Sequence, residues 1–227
     1  MQRGKRVDKR VRENNKEMLL LEEDNALAEE IRHQMEEQSL RELYTEIIWD
    51  LIGEINEIND RLSRKCNRPI MDNITWRIKT PESIVKKLKR KGQDISLECA
   101  KHVLNDMAGI RVICSFQDDV YRMAKAIKKM PGFHLVKEKN YIAHPKESGY
   151  RSIHLIGKVP AEDENVTVEI QIRSVAMNYW AILDHQLCYK NEKKEVEKIR
   201  KELRSYAIAI EKIDKKFLKL RKRIEKL

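Results

Sequence analysis

Hydrophobic and polar positions alternate without a break from Val166 to Arg173, VTVEIQIR. With a period of two, Val166, Val168, Ile170 and Ile172 share one side of a strand, while Thr167, Glu169, Gln171 and Arg173 share the other. The pattern predicts a half-buried strand with an open polar face. Ile153 to Ile156 precedes it across a turn at Pro160 to Asn165, which makes the pair a hairpin. Ala108 to Phe116, AGIRVICSF, is an apolar run rich in β-branched residues, the mark of a buried strand. Phe133 to Lys137 is a further strand candidate.

Helical spacing governs the two ends. From about Met18 to Lys65 the pattern is helical, with Tyr44, Ile48, Leu51, Ile55, Ile58 and Leu62 separated by fours and threes. Ile199, Leu203, Tyr206, Ile210, Ile213, Phe217, Leu220, Ile224 and Leu227 repeat that spacing for about four heptads. This stripe predicts either packing on the amino-terminal helices of the same chain or a helix-mediated homo-oligomer, a dimer or tetramer. Between the ends, Thr80 caps and Pro81 opens a helix that Gly92 stops, and helices are predicted over Asp94–Asn105, Asp118–Met130 and Ala176–Lys190. The sum is an α+β fold, a mixed sheet covered by helices, with long helical extensions.

The chain has 227 residues, 41% hydrophobic and 37% charged, with only 7 glycines, which fits long solvated helices around a smaller core and excludes general disorder. A net charge of +10 favours polyanionic partners, nucleotides or RNA, without choosing between them. Much of the surplus lies in 2–12 and 212–226, where solvated helix charge is the simpler reading. Cys66, Cys99, Cys114 and Cys188 form no CxxC pair, so neither zinc nor a redox dithiol is indicated and buried free thiols are expected. The amino terminus has no apolar signal core, and no run reaches membrane-spanning length, so the expectation is a cytoplasmic protein without a membrane partner.

The loop Tyr141–Ser152, YIAHPKESGYRS, gathers a lysine, an arginine, two tyrosines and two serines around Gly149, a set suited to phosphates and a base. No P-loop, GxGxxG, HExxH or GxSxG is present, so a nucleotide site here must be built from side chains. Asp106 beside one strand and Glu169 within another suit a shared magnesium ion, which one or two carboxylates hold while phosphates and waters complete the octahedron. Lys79, Lys86, Arg111, Lys146, Arg151 and Arg173 are the cations available for phosphates. The competing readings are structural: Asp106 as a local cap, Arg77 and Lys79 in a solvated loop, His154 as a satisfied histidine. Tyr150, beside a glycine in a basic loop, reads as a stacking platform for a base.

Arg77-Ile-Lys-Thr-Pro-Glu-Ser-Ile84, Asp106-Met-Ala-Gly-Ile-Arg111, SGYRSIHL at 148–155, VEIQIR at 168–173 and Ala176-Met-Asn-Tyr-Trp-Ala181 resemble, in that order, the synthetase domain of RelA/SpoT-type proteins, in particular the small alarmone synthetases. The resemblance covers about residues 75 to 190, leaving 1–74 as a helical extension and 191–227 as an amphipathic helix. It implies a nucleotidyltransferase-like fold and transfer of the β,γ-pyrophosphate of ATP to the 3′-hydroxyl of GDP or GTP, giving AMP and ppGpp or pppGpp. It further implies that Arg77 and Arg111 hold the adenine, that Lys79 and Lys86 meet the ATP phosphates, and that Asp106 and Glu169 hold Mg2+. Glu169 would receive the 3′-hydroxyl proton, Tyr150 would stack on guanine, and Asn178 would read its edge. Gln171 would join the acceptor site, with Lys146 and His154 facing its 5′-phosphates. Long family members carry a hydrolase with a His-Asp metal pair; no His precedes Asp here, so synthesis without hydrolysis is expected, and the chain has no room for the ribosome-tethering portion. The alternative is an RNA-binding regulatory module, with RNA as a regulator of an enzyme as a variant of it.

Overall fold

The computed structural model describes residues 2–161, 164–188 and 193–227. They form two compact units, Met1–Thr45 with Ile78–Met107, and Glu46–Arg77 with Ala108–Leu227.

The first unit is helical. It holds α1 (Gln2–Glu37), the start of α2 (Leu40–Cys66), α3 (Pro81–Lys91) and α4 (Leu97–Val103). α1 buries Ala28, Ile31 and Met35, and α3 buries Ile84, Val85 and Leu88. Ion pairs Arg32–Glu82 and Lys89–Asp24 join the two helices. α3 begins and ends as its sequence predicts: Thr80 Oγ1 accepts the Ser83 N–H at 3.4 Å, Pro81 takes the first position, and Gly92 closes the helix at φ 63°. The helical pattern from about Met18 to Lys65 is divided at Ser39, whose φ of 46° ends one helix and lets a second start. α4 is shorter than the expected Asp94–Asn105, because Ser96 Oγ caps the Cys99 N–H and Leu104 is already extended.

The second unit carries the sheet. Its strands are β1 (Met71–Ile78), β2 (Ala108–Cys114), β3 (His134–Asn140), β4 (Ile153–Pro160) and β5 (Asn165–Ser174), in the order β1-β2-β5-β4-β3. β2 and β5 pair in parallel, and β5-β4 and β4-β3 pair antiparallel. The parallel pair requires a crossover, and α5 (Gln117–Ile127) begins it. α5 and α6 (Val175–Cys188) pack on the sheet, and α7 (Lys193–Ile224) packs on both. Tyr189 and Lys190, the last positions of the predicted 176–190 helix, lie outside the described residues. The α2 stripe Ile48, Leu51, Ile55 and Ile58 is buried as its spacing requires.

Three expectations are corrected. β1, which the sequence reading did not include, runs through Arg77 where a solvated loop was the competing reading; its faces are exposed in an irregular order, so no alternation announces it. The polar side of β5 is not open: Glu169 and Arg173 are 8% and 6% exposed, because their hydrogen bonds are made to one another's neighbours rather than to water. The heptad stripe of α7 does not pack as a block within this chain. Leu203 is buried, but Tyr206, Ile213, Phe217, Leu220 and Ile224 are exposed, and the packed face instead runs through Leu203, Ala207, Asp214 and Arg221. Of the thiols, Cys114 is buried while Cys66 and Cys99 are only half-buried; the Cys188 side chain lies outside the described residues. No described helix is long and apolar enough to cross a membrane.

Candidate active site

Register sets the site. Glu169 and Gln171 of β5 lie opposite Gly109 and Arg111 of β2, and Gln171 lies opposite His154 of β4, so these side chains share one face of three adjacent strands.

The polar residues of this face form one connected chain. His154 Nδ1 lies 2.9 Å from Glu169 Oε1, and Gln171 Nε2 donates to Glu169 Oε2 at 2.8 Å. His154 Nε2 lies 2.7 Å from the Tyr150 hydroxyl, which accepts from Arg173 Nη2 at 2.7 Å; the same guanidinium donates to Gln171 Oε1 at 3.0 Å. A carboxylate only accepts, so Nδ1–H donates to Glu169, and a neutral imidazole then accepts the Tyr150 O–H at Nε2. Asn178 Oδ1 is the next neighbour, 3.5 Å from Arg173 Nη1. Both Glu169 oxygens are thereby oriented.

Tyr150 is the hub. Lys146 Nζ sits 4.8 Å from its ring centroid and 4.9 Å from that of Tyr141, and the Arg173 guanidinium lies 5.0 Å from the Tyr150 ring. Tyr141, Tyr150 and His154 meet edge to face.

Beside this chain opens a cavity of about 630 Å³, lined by Arg77, Arg111, Tyr150 and Arg173 and by Ala181, Ile182 and His185 of α6. That volume is in the range of small-molecule sites. Burial lowers the Arg111 pKa, and the like charges of Arg173 and Arg77 lower it further. Arg111 Nε and Arg173 Nε are buried without hydrogen-bond partners. Three guanidiniums gathered around one cavity, two with unmatched N–H groups, call for an anion or for the flat face of a heteroaromatic ring.

The first unit contributes a separate constellation. Asp106 accepts from Lys79 Nζ at 2.8 Å and from Lys87 Nζ at 2.6 Å. Burial disfavours its charged form, yet the two ammonium groups outweigh that and hold its pKa below the ordinary carboxylate value. Lys86, expected with Lys79 on the ATP phosphates, is an exposed position of α3: the helix turns Ile84, Val85 and Leu88 inward, which directs Lys86 outward and leaves Lys87 on the flank. Sequence spacing alone did not separate these neighbours.

The candidate residues thus fall into two groups. Glu169, His154, Gln171, Tyr150, Lys146, Asn178, Arg111 and Arg77 belong to the face and cavity of the second unit, and Lys79 and Asp106 to the first. Tyr141, Lys87 and the pairing role of Arg173 were not singled out by sequence; an aromatic at the start of the basic loop was the available signal for Tyr141. Arg151, counted among the phosphate cations, pairs with Glu211 at 2.6 Å. Among the described residues no group of three or more His, Cys, Asp or Glu side chains forms a metal cluster; Asp184 of α6 also lines the cavity.

Residues 76–194 match the family described as the region found in RelA / SpoT proteins. The chain is 40% identical over 153 residues to the GTP pyrophosphokinase YwaC of Bacillus subtilis, covering 66% of this chain and 73% of that one. It is 30% identical over 186 residues to the GTP pyrophosphokinase YjbM of the same organism, covering 80% and 87%. Its structure is similar to that of the small alarmone synthetase 1 from Bacillus subtilis bound to its product pppGpp, with a TM-score of 0.72, 31% identity, and coverage of 82% of this chain and 98% of that one.

Proposed function

The chain belongs to the RelA/SpoT family, and from that premise we infer how its own residues carry out alarmone synthesis. It is a GTP pyrophosphokinase: it moves the β,γ-pyrophosphoryl group of ATP to the 3′-hydroxyl of GDP or GTP. The O3′–Pβ bond forms, the bond from Pβ to the α,β-bridging oxygen breaks, AMP leaves, and the 3′-hydroxyl proton passes to a base.

Glu169 is that base. It is the one carboxylate of the hydrogen-bonded chain, oriented by His154 and Gln171, and the observation that carries the reading is this chain ending beside a cavity ringed by arginines. A base held within reach of the proton it takes contributes by position as much as by basicity. Arg77 and Arg111 take the adenine between their planes, and the unmatched N–H of Arg173 serves the acceptor nucleotide. Tyr150 stacks on guanine once Lys146 leaves its ring for the acceptor's 5′-phosphates, with His154, Gln171 and Asn178 around the same nucleotide. Lys79 and Lys87 meet the ATP phosphates, with Lys86 as an outer cation.

Asp106 and Glu169 each have the chemistry of a magnesium ligand. Asp106 is held ionised, and both offer the oxygen donors that magnesium takes, with lone pairs remaining beyond those their partners use. Mg2+ held by such carboxylates would supply charge neutralisation of the transferring phosphates. The segment 75–190 is the catalytic portion, the protein works in the cytoplasm, and the exposed α7 stripe favours a homo-oligomer.

The test is to mix purified protein with Mg2+, ATP and GTP or GDP and resolve the nucleotides. AMP and a 3′-pyrophosphorylated guanosine nucleotide are expected in equal amounts. Glu169→Gln is expected to lower kcat by roughly a hundredfold or more. Absence of both products, or an unchanged rate in Glu169→Gln, overturns the reading.

A further inference from the structure

The loop that carries Tyr150 is held from outside the site. Gly149, at φ 95°, passes so close to α7 that a Cβ there would stand 2.6 Å from the Ala207 Cβ. Arg151, the next residue after Tyr150, donates to Glu211 Oε2 at 2.6 Å, with both side chains largely shielded from solvent. Ser174, the residue after Arg173 and fully buried, donates its hydroxyl to Asp214 Oδ2 at 2.7 Å and accepts the Met177 N–H at 3.2 Å, capping α6. Trp180 of α6, itself buried, donates its indole N–H to the Leu203 carbonyl at 2.8 Å. Leu203, Ala207, Glu211 and Asp214 follow at steps of four, four and three, which places them along one side of α7. They meet, in turn, α6, the glycine of the loop, the residue after Tyr150, and the residue after Arg173.

The seam leaves little space. The residual cavity between Gly149, Met177, Trp180, Ala207 and Asp214 is about 20 Å³, room for about one water. It is no ligand site. Its polar content is two specific pairs, and both end one residue away from a group of the catalytic face. A helix that merely covered apolar surface would need neither.

We propose that α7 is a splint for the acceptor site, in which Glu211 and Asp214 are positioning residues: through Arg151 and Ser174 they fix Tyr150 and Arg173, and so set affinity for the guanine nucleotide rather than for ATP. The proposal rests on the pyrophosphokinase reading above. Neither carboxylate touches a substrate. Glu211 fixes the backbone on which the Tyr150 ring turns, and Asp214 fixes the junction of β5 and α6 from which Arg173 and Asn178 project.

The experiment uses the full chain and four variants, Glu211→Ala, Asp214→Ala, Asp214→Asn and Ser174→Ala, with kcat, KM for GTP at saturating ATP, KM for ATP at saturating GTP, and Tm. Glu211→Ala, Asp214→Ala and Ser174→Ala are expected to raise KM for GTP about tenfold, equivalent to about 1.4 kcal/mol, and to change KM for ATP less than twofold. Asp214→Asn keeps an oxygen that can accept the Ser174 hydroxyl and is expected to retain the wild-type KM for GTP. Binding of GDP by calorimetry gives the same order without turnover. Equal rises in both KM values tracking a loss of Tm mean that α7 is only structural, and unchanged KM values for GTP mean that the pairs position nothing; either overturns the splint. Wild-type protein that binds GDP and ATP but forms no product overturns the pyrophosphokinase reading instead, while the order of GDP affinities still decides the splint.

Discussion

Lys87→Ala and Lys86→Ala separate two neighbours that the sequence cannot tell apart. Lys87 donates to Asp106 at 2.6 Å, with side-chain exposures of 23% and 11%, whereas Lys86 is exposed on α3. A hydrogen bond between charged groups contributes about 1.5–3 kcal/mol. Lys79 remains on the other Asp106 oxygen and water reaches Lys87 in part, so Lys87→Ala is expected to cost about 1–2 kcal/mol of stability at pH 7. Lys86→Ala, a surface change, is expected to stay within about 0.5 kcal/mol. Urea unfolding followed by far-ultraviolet circular dichroism reads both. The pH dependence sharpens the comparison. Asp106 has a folded-state pKa below its unfolded one, so its contribution is complete above the ordinary carboxylate range and disappears as pH falls through the lowered value. The difference between wild type and Lys87→Ala is therefore largest at neutral pH and shrinks in acid. Equal costs for the two variants, or a gap that widens in acid, refute the argument.

Two more predictions concern the second unit. A Cβ at Gly157 would stand 2.4 Å from the buried Phe133 ring, so Gly157→Ala is expected to cost about 1–3 kcal/mol in the same unfolding assay. Asp214 has a pKa raised by burial, with Asp118 and Glu211 adding to the rise against the Ser174 hydrogen bond; its protonated form is favoured in the folded state, so its contribution weakens as pH rises through the raised value. Asp214→Asn, uncharged throughout, is expected to melt about 2–4 °C above wild type at pH 8 and to lose that margin in acid, as thermal scans across pH would show.

Much of the fold was legible because its signals are local. Thr80, Pro81 and Gly92 bound α3 through capping chemistry that involves no distant residue. β5 and β2 were visible from parity and from β-branched runs. β1 was not, since an edge strand with Asp72, Asn73 and Thr75 among its positions obeys no burial rule. The site divided along the same line. Tyr150 and Glu169 stood out by residue type and neighbours, while the link from one to the other through His154 arises from β4–β5 register, which no single segment contains. The closing of the open polar face of β5 was hidden for the same reason: its hydrogen-bond partners come from β4, the loop and α6.

The parallel pairing of β2 with β5 has a consequence for how the protein is made. Ala108 finds its partner Val168 sixty positions later, and contacts of such separation form late in folding. On a ribosome β2 must wait, one edge of its backbone unpaired, until β4 and β5 have emerged. A nascent chain stopped before residue 174 would hold every cation from Arg77 to Arg151 and still have no floor on which to set a nucleotide.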